Sequence, residues 1–267
     1  PSLRERTMHS VRIAAEAALA RAVSPSYTNI ALMDMCLLDR AGALHDVPQW
    51  RSHAASLGRT LHDSFRATGA LAEYNSPTYY GVDLCALAQC RAYATTGELR
   101  TVGREMERKL WHDIAQLYHA GLRNLCGPWV RSYGMDMTAY CSVLGLWIAS
   151  HTDKPHAPLP NLSRPFVHHH DISFAPLVML LQTSLPPRLH QALSSFGSPH
   201  AVAQRVPRSP ETEASAWLGH GVMLGGLRSD GTQTASPAHT QCHPATIHWL
   251  LPGGAVGWVR LVSEGTV

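Results

Sequence analysis

Residues 187–206 read Pro-Arg-Leu-His-Gln-Ala-Leu-Ser-Ser-Phe-Gly-Ser-Pro-His-Ala-Val-Ala-Gln-Arg-Val, and the change of texture at Gly197-Ser198-Pro199 decides the fold class. Before it, apolar residues recur at helical spacing. After it, short runs rich in Val, Trp, Thr and Ile are separated by Gly, Pro, Ser and Asp, the pattern of strands and turns. The runs are 201–206, 213–218, 221–225, 244–251 and 255–262, and Pro252-Gly253-Gly254 reads as a hairpin turn. Helices followed by strands predict two layers or two domains, not an alternating βαβ sheet. The expectation is an α+β chain with a helical domain over 1–197 and an antiparallel β-sheet domain over 198–267. The sheet is expected to dock on the helices through Trp217, Trp249 or Trp258.

Upstream, the punctuation predicts the helices. Residues 3–23 carry Leu3, Val11, Ala14, Ala18 and Val23 and end at Ser24-Pro25. Thr28 can cap a second helix that Gly42 closes. A third runs from Pro48 to Thr68, with Pro in the first turn and Gly69 at the end. A loop over 71–80 leads to a fourth helix, Val82 to Thr96, and residues 98–119 form an amphipathic fifth. Residues 135–150 are apolar nearly all round, which predicts a buried sixth helix. Shorter helices follow at about 174–183 and 187–196.

Composition narrows the function classes. Charged residues are 15% of the 267, and the formal charge of +3 with scattered Arg points away from nucleic acid. No run reaches the roughly 18 apolar residues of a membrane-spanning helix, so no membrane partner is expected. The N-terminus carries no signal peptide, and Pro1 in place of Met points to a processed or partial chain. Six cysteines without framework spacing read as thiols. Seventeen His make the charge sensitive to pH between about 5 and 8.

The segment Glu73-Tyr74-Asn75-Ser76-Pro77-Thr78-Tyr79-Tyr80 places aromatics, an amide and a carboxylate at a helix junction. Such a set suits stacking on a sugar and hydrogen bonding to it; the plainer reading is a stiffened connector. Tyr118-His119 ends the fifth helix, where a His also suits the negative end of the dipole. Arg131 precedes Tyr133 by two residues, and Asp136 is its alternative ion-pair partner. His168-His169-His170-Asp171 lacks the spacing of the common metal motifs, so no metal is expected, and His168 and His169 are taken as site-lining residues.

Together these loops carry what β-elimination of a uronic acid requires. The proton α to the sugar carboxylate must leave, so an amide or Arg must neutralise that carboxylate. A His or Tyr must take the proton, and a Tyr hydroxyl can return one to the leaving oxygen. The chain order Asn75, His119, Tyr133 resembles that of the chondroitin-, heparin- and alginate-lyase-like enzymes. Glu73–Leu84 and Arg131–Trp147 look like segments of uncharacterised toroid proteins near these lyases. The resemblance implies an incomplete α/α toroid followed by an antiparallel, sandwich-like β-sheet domain. It also implies a polysaccharide lyase with no cofactor, acting on an acidic polysaccharide or oligosaccharide in a secreted or periplasm-like setting. Its site would hold Asn75, His119, Tyr133 and Arg131 as catalytic residues and Glu73, Tyr74, Tyr79, Tyr80, His168 and His169 as substrate contacts. The alternatives are a toroid glycoside hydrolase with a carboxylate pair from Glu73, Asp83, Asp113, Asp136 and Asp171, and a non-catalytic carbohydrate binder. The loops 71–80, 118–134 and 165–171 are expected to line one cleft.

Overall fold

Pro48 in the first turn and Gly69 in the left-handed region (φ 75°) bound helix α3, Pro48–Thr68, as their sequence positions predict. The computed structural model describes residues 1–207, 212–229 and 241–261. In chain order the other helices are α1 (Leu3–Arg21), α2 (Thr28–Leu44), α4 (Tyr79–Tyr93), α5 (Gly97–Leu117), α6 (Val143–Ala149), α7 (Ala175–Leu181) and α8 (His190–Ser194). A two-residue ladder, β1 (Tyr118–His119) with β2 (Asn124–Leu125), follows α5. Then come β3 (His200–Val206), β4 (Thr212–Gly219), β5 (Val222–Ser229), β6 (Ala245–Leu250) and β7 (Val256–Arg260), paired antiparallel in that order. The chain is therefore α+β among the described residues, eight α-helices and then a five-stranded sheet. Among the described residues the helices do not close into a ring.

Helix α4 is the axis of the helical part. It packs on α2, α5, α6 and α7, and Tyr80, Leu84 and Leu87 along it are fully buried. It starts at Tyr79, three residues before the expected Val82, because the Ser76 hydroxyl accepts the Tyr79 amide at 3.0 Å. Gly42 does not end α2. It lies inside the helix against Val47 and Arg51, where a side chain would collide. Tyr118-His119 is not helical either; both residues pair with β2.

The largest departure lies at 135–150, where only Val143–Ala149 is helical. The Asp136 carboxylate accepts both the amide and the hydroxyl of Thr138, at 2.8 and 2.7 Å. The Cys141 amide bonds to the Val167 carbonyl at 3.1 Å. Ser142 caps the short helix through the Gly145 amide at 3.0 Å. Each of these bonds offers the backbone an alternative to the helical ladder, and together they displace it.

The sheet meets the helical part without its tryptophans. Ala214, Ala216, Leu218 and Met223 form the buried face. Gly225 brings β5 so near the Gly127-Pro128 backbone that a Cβ there would overlap the Gly127 carbonyl. The alternation of the strands puts Trp217 on the opposite face. It is 40% exposed, and Trp258 is 45% exposed, while Trp249 covers Gly257. The expected docking through Trp217, Trp249 or Trp258 is thus replaced by backbone contact at small residues. Polar ties complete the junction. His248 Nε2 donates to the Met135 carbonyl at 3.0 Å, and Trp129 and His243 exchange backbone bonds at 3.1 and 2.9 Å.

Gly225→Ala is therefore expected to cost about 1–3 kcal/mol, the usual range for overpacking. Gly226→Ala, on the other face, meets only the Pro244 carbonyl at 3.9 Å and is expected to be nearly neutral. Urea midpoints of the two variants make the comparison, and equal midpoints would refute the close contact.

Candidate functional site

Three loops meet at the start of α4. The Val130 amide bonds to the Tyr74 carbonyl at 3.2 Å, and the Leu144 amide bonds to the Pro77 carbonyl at 3.2 Å. Tyr140 bridges Val167. The segments 71–80, 126–133 and 165–171 therefore come together around Arg131 and Tyr133, whereas the His119 end of the expected 118–134 loop lies at the sheet junction, so the single cleft over all three loops is met only in part.

The Arg131 guanidinium lies over the Tyr79 ring at 4.1 Å from its centroid. It donates to the Tyr27 hydroxyl at 3.1 Å and to the Gln241 side-chain oxygen at 2.9 Å. Burial works against its charge, but the Tyr27 bond and the surrounding tyrosines outweigh that and raise its pKa. Arg131 thus stays cationic on the rim of the cluster.

Tyr133 stands beside it, 37% exposed, its hydroxyl 2.5 Å from that of Tyr79. Burial, then the bond to Tyr133, pushes the Tyr79 pKa up against the lowering effect of Arg131. Tyr79 consequently keeps its proton, and either hydroxyl can donate in this pair. The other face of the Tyr133 ring stacks on His168, with centroids 4.2 Å apart and planes 18° apart. Burial lowers the His168 pKa while Asp171 raises it, the former prevailing.

The remaining expected site residues lie elsewhere. Asn75 is fully buried in a left-handed conformation (φ 55°). Its amide donates to the Cys126 and Pro128 carbonyls at 2.5 and 3.0 Å, so it pins one loop to another beneath the surface. Tyr74 and Tyr80 are buried in the core. Glu73 is buried too and accepts from the Thr28 hydroxyl; burial raises its pKa, and Thr28 and Arg131 oppose the rise. His119 belongs to the junction with the sheet. Its Nε2 donates to the Gly219 carbonyl at 2.9 Å, its Nδ1 accepts from Leu122 at 3.2 Å, and its ring stacks on Phe196. Both nitrogens are engaged, and none of these partners belongs to the Arg131 cluster. His169 is exposed and touches only His170 among the aromatic rings.

Of the five candidate carboxylates, Glu73, Asp83, Asp113 and Asp171 are buried. Asp136 is occupied by Thr138. A hollow of about 190 Å³ lined by Cys36, Asp39, Arg40, Gln89, Cys90 and Tyr93 shares no residue with the cluster.

Two contributors escaped the sequence reading, Tyr27 and Gln241. A signal for the first exists. Ser24-Pro25-Ser26-Tyr27 and Ser76-Pro77-Thr78-Tyr79 have the same S-P-x-Y form, each opening a helix. Because α2 and α4 pack together, both tyrosines reach Arg131. Nothing local marks Gln241.

Residues 3–183 match the family described as Domain of unknown function (DUF8769), most of the chain. The chain belongs to that family. The matched DUF8769 region contains Tyr27, Tyr79, Arg131, Tyr133 and His168 but ends before the sheet and Gln241. No curated protein and no solved structure matches the chain.

Proposed function

We propose that this DUF8769 chain is a polysaccharide lyase that cleaves a uronate-containing polysaccharide by β-elimination at the Arg131–Tyr79–Tyr133 cluster. In this reading the helical hairpins are an incomplete α/α toroid and the sheet is its sandwich-like companion domain. The observation that carries it is the exposed Tyr133 hydroxyl, bonded to Tyr79 and set beside a caged arginine.

Arg131 neutralises the substrate carboxylate, which makes the enolate-like charge tolerable. In its phenolate form, its own proton released to solvent, Tyr133 takes the α-proton. Tyr79, keeping its own proton, donates to the Tyr133 oxygen, and a hydrogen bond to an anion is about twice as strong as a neutral one. The protonated Tyr133 then returns the proton to the leaving oxygen, so one hydroxyl serves both steps. His168, stacked on Tyr133, orients that ring, and the catalytic role expected of His119 is not used. Asn75 holds the loop that carries Tyr79.

The test is ultraviolet absorbance during incubation with uronate polysaccharides. A lyase forms a conjugated unsaturated uronate, whereas a hydrolase forms reducing ends without that absorbance. Expected are a rising absorbance with the unmodified chain and its loss in Arg131→Leu. Reducing ends without absorbance would establish hydrolysis instead. Binding that depends on Tyr79, with no turnover, would establish a carbohydrate-binding protein.

A further inference from the structure

His168, His170 and Asp171 are brought together by a local device. His168 adopts a left-handed conformation (φ 56°), and a 3₁₀ turn, His169–Phe174, follows it at once. The Asp171 amide bonds to the His168 carbonyl at 3.0 Å, closing the turn. With three residues per turn, positions i and i+3 eclipse, so His168 and Asp171 share one side. His170 joins them, its Nε2 3.4 Å from Asp171 Oδ1, while His169 is left outside. One ligand atom from each of the three lies within 4.8 Å of the others.

A second observation marks the cluster as more than a turn. Asp171 is only 7% exposed, and its Oδ2 is buried without a hydrogen-bond partner among the described residues. His168 Nδ1 is likewise buried and unpartnered. Unpaired buried polar atoms are costly to keep, and here two of them belong to the same candidate ligand set.

We propose that His168, His170 and Asp171 bind a divalent transition-metal ion of the zinc class. Two imidazoles and one carboxylate form a nitrogen–oxygen set suited to zinc, three protein ligands leaving a fourth position for water or a ligand oxygen. Tetrahedral ligation at about 2.1 Å places ligand atoms about 3.4 Å apart, so no pair must close by more than roughly 1.4 Å. His170, with its side chain 68% exposed, is free to swing the needed distance. A bound ion would also fix the His168 ring and, through the stack, the ring of Tyr133. The site goes beyond the lyase reading and stands without it.

The test uses the full chain, freed of metal by chelation, and Co²⁺ and Zn²⁺ as probes. Expected is one equivalent of Co²⁺ giving the intense visible absorption of a four-coordinate site, displaced by one equivalent of Zn²⁺. His170→Ala, at an exposed position, is expected to weaken binding by at least about 100-fold, beyond the effect of losing an outer-shell partner. Asp171→Asn should do the same, and His169→Ala should leave binding intact. A chain with no saturable one-equivalent site overturns the proposal, as does undiminished binding in His170→Ala. Equal loss in His169→Ala also overturns it. Polysaccharide cleavage is not part of the readout, so failure here leaves the lyase reading standing, and failure of that reading leaves the metal site standing.

Discussion

Tyr133→Phe is expected to lower turnover of a uronate-containing polysaccharide at least about 100-fold, since a positioned general acid/base is typically worth about 10²–10⁴ in rate. The substitution deletes one oxygen and leaves the ring that stacks on His168. The hydroxyl sits at the surface and, among the described residues, bonds to Tyr79 alone, so the fold should lose little, within about 0.5 kcal/mol for a surface change of this kind. The decisive comparison is with Tyr79→Phe. That variant leaves the Tyr133 hydroxyl in place without its Tyr79 partner and should reduce the rate by a smaller factor. Full activity in Tyr133→Phe would end the lyase account at this residue, whatever the other variants did. Unfolding midpoints recorded alongside keep a misfolded variant from passing as a catalytic one.

A second large effect is expected in acid. His243 and His248 tie the sheet to the helical part, and both pKa values are lowered to about 4, foremost by burial. Arg260 adds to the fall at His243; the bond to Met135 and the charge of Asp136 oppose it at His248. Between the unfolded value of about 6.5 and about 4, the unfolded chain binds more protons than the folded one. Stability from these groups is thus complete above about pH 6.5 and drains away as pH falls toward 4. At pH 5 the loss amounts to about 2 kcal/mol for each ring, about 4 for the pair. Buried carboxylates act the other way. Asp113, pushed up to about 6 by burial against the pull of Lys109, gains protons in the folded state over the same window. Glu73 and Asp83, both raised, act in the same direction.

A difference measurement removes that opposition. Urea unfolding of the unmodified chain and of a His243→Gln, His248→Gln double variant, at pH 7.5 and 5, isolates the two rings. The unmodified chain should lose about 4 kcal/mol more than the variant on acidification. Equal losses would mean that neither imidazole is held neutral by the fold.

What could be read in the sequence was local. Pro48 and Gly69 bounded α3 because each acts through its own backbone geometry, and the strands of the sheet declared themselves by alternation. The meeting of 71–80 and 165–171 with the 126–133 part of the expected 118–134 loop was visible because helix junctions gather at the ends of packed helices. What stayed hidden depended on partners far along the chain. His119 looked like a catalytic base, yet its Nε2 is claimed by the Gly219 carbonyl, 100 positions away. Asn75 had the right chemistry, but carbonyls at 126 and 128 take its amide. The apolar run 135–150 obeyed a helical pattern until Asp136, Thr138 and Ser142 offered the backbone closer partners. The tryptophans of the sheet misled because size suggests a core. A main chain pressed against another main chain instead requires glycine and alanine.

The seam at Gly127 and Gly225 bears on where one inherited unit stops and the next begins. The DUF8769 match ends at residue 183. Past that point the chain contributes the bond from His248 to the Met135 carbonyl, the strand-like exchange with Trp129, and the Gln241 oxygen that steadies Arg131. Cutting the chain at 183 would retain every aromatic residue of the cluster while stripping one side from the frame that aims the arginine. The end of the family match is therefore not the edge of the packed unit, because residues past it hold part of the frame around the cluster.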